Sequence, residues 1–332
     1  MLNRILLPLD GSRLAETVMP HALACARAAD SVIMLVHVLQ KSDDHNGTPT
    51  VDPLDWHLRK MEAELYLEKV AALFTEAGAE VESALLQGEA AERITEFAQE
   101  KRADLVMMSS HGQSGLSSWN VSSVVQKVIQ TTHTSVMIVP AYGATDVALT
   151  ELRYRTIVAP LDGSRRAECV LPLLQTLGRL YNAQILLVTV VPRPEMPRRA
   201  PLSPEDVTLA DQVVARNRAE AKKYLSQLQS RVSGNVTKHL LLGDNLVGTL
   251  HDFVMQQDVD LLIFSAHGYS GNGVRRYGSL VTSFITYGCT PLLIVQDLPP
   301  EEIRKTEAEV VFKETSESDM GVRTVVNAPA AP

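Results

Sequence analysis

Short runs of apolar, largely β-branched residues alternate along this chain with longer stretches in which apolar positions recur every three or four residues. The strand-like runs stand at Ile5–Leu9, Val32–Leu39, Glu80–Leu86, Leu105–Ser109 and Val136–Val139. They return at Thr156–Leu161, Gln184–Val191, Val236–Leu242, Leu261–Ser265 and Leu292–Val295. Apolar runs of this length separated by helical patterns predict a parallel sheet covered by helices on both faces, in the order βαβαβαβαβ, twice.

The helices carry their own signals. Ser203-Pro204-Glu205-Asp206 supplies a capping serine, a proline at the first helical position and acids in the first turn, and Gly234 can stop the helix. A long helix is therefore expected from about Pro204 to Val232. Val121, Val124, Val125, Val128 and Ile129, matched by Leu280, Val281, Phe284 and Ile285, predict the core stripe of the last helix in each half.

The second half repeats the first. Arg4-Ile5-Leu6-Leu7-Pro8-Leu9-Asp10-Gly11-Ser12 returns as Thr156-Ile157-Val158-Ala159-Pro160-Leu161-Asp162-Gly163-Ser164. Ser109-Ser110-His111-Gly112 returns as Ser265-Ala266-His267-Gly268, and Thr134–Val139 as Thr290–Val295. A period of about 155 residues is too long for a solenoid and suits two whole domains. The fold class expected is α/β, with two repeated doubly wound domains, each a five-stranded parallel sheet. The boundaries expected are 1–140 for the first domain, 141–152 for a linker, 153–297 for the second domain and 298–332 for a polar, disordered tail. Lys41–Asp52 and Val191–Leu202, equivalent insertions after the second strand, are expected to be loosely held. The last strand of each domain would be a bare apolar edge, so the domains are expected to pair there within one chain, as a pseudo-dimer able to dimerise again.

Composition narrows the partners. The chain has 332 residues, 45% hydrophobic and 21% charged, enough for two independent cores. Its net charge of −8 argues against nucleic acid, and the one dense basic stretch, Arg193 to Arg199, is short and proline-rich. The three cysteines, Cys25, Cys169 and Cys289, show no metal or redox spacing and sit in apolar runs, where cysteine acts as a small hydrophobe. Asp10 interrupts the N-terminal apolar run too early for a signal peptide, and no run approaches the roughly 20 residues of a membrane helix. A cytoplasmic protein without a membrane partner is expected.

In an open parallel sheet, ligands bind beyond the carboxyl ends of the strands, where the strand order reverses. The segments after strands one and four are both marked here. Asp10 and Asp162 follow strand one and would accept hydrogen bonds from an amine such as that of adenine; the competing reading is the ordinary chemistry of an Asp-Gly-Ser turn. After strand four, Gly112 and Gly115 in the first domain correspond to Gly268 and Gly271 in the second, where Gly273, Arg275, Arg276 and Gly278-Ser279 follow. A glycine-rich loop entering a helix presents backbone N–H groups to phosphate, and arginine neutralises its charge. His111 and His267 have no evident partner in chain and read as loop histidines held by backbone hydrogen bonds. HExxH, paired-cysteine and GxxxxGK[ST] patterns are absent, so neither a structural metal nor a P-loop is expected.

With these residues in place, both halves resemble universal stress protein domains, over about residues 1–140 and 153–297. Nucleotide-binding members carry G-x-x-G, nine residues, then G-[ST]. The second domain reads Ser265-x-x-Gly268, nine residues, Gly278-Ser279, and departs only at the first glycine. The first reads Ser109-x-x-Gly112, nine residues, Ser122-Ser123, and departs at two. The resemblance implies an adenine nucleotide, ATP before ADP or AMP, usually with Mg²⁺. Asp10 and Asp162, with Pro8 and Pro160 at the strand ends and the backbone near Val38 and Val190, would meet adenine, and the loops would hold the phosphates, chiefly in the second domain. The function implied is a stress-response sensor or regulator whose ligand orders these loops, without catalysis beyond slow hydrolysis. The alternative is a ligand-independent interaction protein of the same family. Related ATP-using enzymes carry S-G-G-x-D-S after strand one, where this chain has Asp-Gly-Ser-Arg twice.

Overall fold

The computed structural model describes residues 2–40, 53–113, 121–141, 147–194, 203–268 and 277–297. In the first repeat, strands β1 (Arg4–Pro8), β2 (Val32–Leu39), β3 (Val81–Gln87), β4 (Leu105–Ser109) and β5 (Ser135–Val139) are joined by helices. These are α1 (Arg13–Glu16), α2 (Met19–Ala29), α3 (Pro53–Glu76), α4 (Ala90–Glu100) and α5 (Ser123–Thr131). The second repeat has β6 (Thr156–Pro160), a 3₁₀ turn (Ala167–Val170), α6 (Leu171–Tyr181), β7 (Gln184–Pro192), α7 (Pro204–Arg231), β8 (Asn235–Gly243), α8 (Leu246–Gln256), β9 (Leu261–Ser265), α9 (Ser279–Tyr287) and β10 (Leu292–Val295).

The ten strands among the described residues form one sheet in the order β3-β2-β1-β4-β5-β10-β9-β6-β7-β8. Neighbours are parallel within each repeat, and the order reverses between β1 and β4 and between β6 and β9. The repeats meet through β5 and β10, which pair antiparallel. The expected apolar edges are thus covered by each other, and the ladder groups each would leave bare are satisfied.

Alternation along the strands sorts the core into two layers. Ile5 and Leu7 face a layer built from α2, α3, α6 and α7, and Leu6 faces one built from α4, α5, α8 and α9. Each layer is continuous across both repeats. At the junction, Tyr154 is fully buried; its hydroxyl is 2.9 Å from His21 Nδ1, and the Tyr181 hydroxyl donates to the Ala24 carbonyl.

Local signals hold with small shifts. Ser203 caps α7, and Asp206 completes a capping box. Two expectations need correction. Val121 is not in the last helix of the first repeat: it precedes the capping Ser122, though it is buried in the same core layer. Val191 and Pro192 do not open a loose segment but continue β7 alongside β8. Lys41–Asp52, residues 195–202 of the second insertion and the tail from residue 298 lie outside the described residues.

Candidate functional site

A cavity of about 780 Å³ opens at the carboxyl ends of β1, β2 and β4, where the first repeat's strand order reverses. Its walls include Pro8, Asp10, Val38, Ser109, Gly112 and Ser122, six of the positions singled out from sequence. Ser123 opens α5 beside them. Gly115 lies outside the described residues.

Asp10 ties two loops together. One carboxylate oxygen accepts from the Ser12 N–H at 3.0 Å, and the other accepts from the Gln113 N–H in the loop after β4. Gly112 is where that loop passes the carboxylate, and a methyl group there would collide with Asp10 Oδ2. The second repeat is built alike: Asp162 Oδ1 accepts from the Ser164 N–H at 2.9 Å, and a methyl on Gly268 would collide with Asp162 Oδ2. The Asp–Gly pairing is therefore a steric match, present twice.

The serines in place of the first motif glycine turn their hydroxyls into the protein. Ser109 Oγ accepts from Thr17 Oγ1 at 3.1 Å, and Ser265 Oγ donates to the His267 carbonyl at 2.7 Å. The entrances to α5 and α9 differ more. Ser122 and Gly278 have nearly the same backbone, φ −68°, ψ 163° against φ −64°, ψ 159°, and each donates its N–H to the residue after strand four, Ser110 or Ala266. Ser122 Oγ accepts the Val125 N–H at 3.3 Å and so occupies one free amide of the helix start. A methyl on Gly278 would meet only the Ala266 carbonyl, at 3.8 Å. Neither conformation nor packing within the described residues calls for glycine there. Ser279 opens α9, Pro160 ends β6 and Val190 stands in β7 as Val38 does in β2; Gly271, Arg275 and Arg276 lie outside the described residues.

Sequence reasoning missed one wall of the cavity, formed by His37 on β2 and by Arg59, Glu62 and Tyr66 on α3. Burial lowers the His37 pKa, while the Leu9 carbonyl and Asp10 pull it back. Its ring meets Tyr66 edge-on, with centroids 6.2 Å apart. Burial, Glu16 and Asp10 raise the Tyr66 pKa. Tyr224 stands the same way on α7, its pKa raised by burial, Glu168 and Asp162. This repeated tyrosine, preceded by Glu62-Ala63 and Glu220-Ala221, was the available signal. At the place of His37 the second repeat has Thr189, whose hydroxyl donates to the Leu161 carbonyl at 2.8 Å.

The loop histidines do have side-chain partners, contrary to expectation. His111 Nδ1 is 3.1 Å from Ser110 Oγ, which also accepts the Ala141 N–H. His267 Nδ1 is 2.7 Å from Asp297 Oδ1, with Arg166 Nε 3.7 Å from the other oxygen. The two repeats exchange roles: serine with alanine at 110 and 141, alanine with aspartate at 266 and 297. In the second repeat the buried histidine itself fastens the loop after strand four to the end of the last strand, and in the first Ser110 does so with the buried His111 against its hydroxyl.

Among the described residues, no three His, Cys, Asp or Glu side chains cluster to hold a metal, and no helix is long and apolar enough to cross a membrane.

Two doubly wound repeats, the first with a cavity at its switch point, define a tandem α/β protein. The sequence matches the universal stress protein family over residues 1–140 and 153–296, so the chain belongs to that family. A universal stress protein of Methanocaldococcus jannaschii is 31% identical over 139 residues, 41% of this chain and 81% of the relative. One from Bacillus subtilis is 27% identical over 148 residues, 42% of this chain and 99% of the relative. A solved universal stress protein of Archaeoglobus fulgidus covers 90% of this chain and all of its own, with a TM-score of 0.61 at 16% identity, a likeness of fold.

Proposed function

We propose that this protein binds an adenine nucleotide at the carboxyl ends of its strands and serves as a stress-response regulator through the order of the loops after β4 and β9. The observation that carries the reading is the first-repeat cavity, whose walls join the end of β1, the end of β2 and the start of α5. A base would sit between Val38 and the Asp10 loop, and phosphates would approach the helix start. Gly278 supports a second site: the missing side chain leaves the amide groups at the start of α9 open, where Ser122 covers one in α5. The second site then suits the triphosphate of ATP better, and the first suits a shorter phosphate chain. With no side-chain metal cluster among the described residues, Mg²⁺ would arrive held by the nucleotide's own phosphate oxygens.

Isothermal titration of nucleotide-stripped protein with ATP and Mg²⁺, repeated on Asp10→Ala and Asp162→Ala, tests this. Saturable binding weakened by each substitution is expected. Silence in all three would favour a ligand-independent interaction protein, for which one observation already speaks: both Asp10 carboxylate oxygens accept backbone N–H groups of the protein itself.

A further inference from the structure

Helix α3 is apolar on two opposite sides. Ala63, Leu67, Val70 and Phe74 form its buried stripe, packed over β2 and β3. Across the helix, Leu58, Met61 and Leu65 are 51%, 57% and 61% exposed, and Leu54 is exposed in the same row. At 3.6 residues per turn the three span about 60° of arc, directly opposite the buried stripe. A surface helix needs one apolar face, not two.

The duplicate helix shows that the fold does not require the outer row. Glu62-Ala63 and Tyr66-Leu67 of α3 match Glu220-Ala221 and Tyr224-Leu225 of α7, and both leucines are buried. In that alignment Leu58, Met61 and Leu65 fall on Arg216, Ala219 and Lys223, and Leu54 on Gln212. The inner row is kept, while the outer row loses every large apolar side chain, three of the four positions becoming polar and the fourth alanine.

We infer that Leu58, Met61 and Leu65 are the contact row of an α3–α3 interface between two copies of the chain. Their spacing of three and four is that of the seam residues of a two-stranded coiled coil. The exposed flanking residues are His57 and Glu64 on one side and Asp55, Glu62 and Lys69 on the other. In a parallel pair, each residue of the first flank faces the second flank of the other copy five positions further on. Glu64 then meets Lys69 of the other copy, and His57 meets Glu62. An antiparallel pair would set His57 against Glu64 on one flank but Asp55 against Glu62, like against like, on the other. The flanking charges favour two copies of this chain with their α3 helices parallel and in register from Leu54 to Leu65; the contact ends there, because Glu68, one heptad after Met61, would face its own copy.

The test is sedimentation of the full chain at micromolar concentration beside Leu58→Arg/Leu65→Lys, which carries the residues α7 has at these places. A dimeric parent is expected, with dissociation rising by about 100-fold or more in the double variant and an unchanged far-UV circular dichroism spectrum. A second measurement is mild oxidation of Met61→Cys in a Cys289→Ser background, where the new thiol faces its own copy in a parallel pair and forms a disulfide-linked dimer. A monomeric parent, or a dimer indifferent to the double exchange, overturns the interface. A dimer that the exchange weakens but Met61→Cys fails to link overturns the parallel arrangement.

Discussion

Met137 and Leu293 hold the same place in the two repeats, and they face each other across the antiparallel pair of β5 and β10. Their neighbours cross over, Val136 opposite Ile294 and Ile138 opposite Leu292. The two repeats are therefore related at the junction by a local twofold axis between these two side chains.

A fragment of residues 1–142 should use the same register against itself, placing Met137 beside Met137 of a second fragment. It is expected to be dimeric by ultracentrifugation, and Met137→Asp, which buries an unpaired charge at the axis, to be monomeric. A monomeric parent fragment at micromolar concentration would count against the edge as a self-complementary surface.

Ser122→Gly should make the first site resemble the second. The lost cap costs only a few tenths of a kcal/mol, and the freed Val125 N–H becomes available to phosphate. Affinity for ATP with Mg²⁺, measured by titration in an Asp162→Ala background, should rise by about tenfold. No change would mean that this helix start does not meet phosphate.

Gly112→Ala should destabilise the chain by about 1–3 kcal/mol, because the added methyl drives into Asp10 Oδ2. In an Asp10→Ala background the same change should cost much less. Urea unfolding of the four-member cycle measures the coupling; additive effects would remove the collision as the cause.

Burial lowers the His21 pKa to about 4. The unfolded chain, with an ordinary histidine near 6.5, then binds more protons between those values, so stability is full above about pH 6.5 and falls as pH drops toward 4. The loss from pH 7 to pH 5 should be about 2 kcal/mol by urea unfolding. In His21→Gln that share of the pH dependence should vanish; an unchanged slope would assign it to other groups.

Cysteine reactivity should follow environment. Cys25 is buried with its thiol pushed up to about 12, Cys169 is partly buried with its thiol raised to about 11, and Cys289 is exposed. Near about pH 8, one thiol should react rapidly in the native protein and all three in denaturant. Fast native labelling of Cys25 would show that the junction around Tyr154 opens readily.

Much of this architecture was legible in the chain because its signals are local and stated twice. Apolar runs marked the strands within a residue or two, and the repeated Asp-Gly-Ser and His-Gly segments fell at the two reversals of strand order. What escaped depends on contacts between distant segments. Asp297 reaches His267 from the end of the last strand, and its counterpart is Ala141, so the repeat gave no hint of it. His37, Arg59 and Glu62 became cavity walls only through the path α3 takes over β2. Asp104 and Asp260 were passed over, though each carboxylate accepts two backbone N–H groups at the start of β1 or β6, the far end of the sheet from the cavity.

The β5–β10 junction has an evolutionary consequence. A dimer of identical chains meeting at such an axis must accept every substitution in both halves at once. Joined in one polypeptide, the halves can drift apart while the axis is kept. Serine at 122 beside glycine at 278, and leucine at 65 beside lysine at 223, are changes that only a fused pair can make on one side alone.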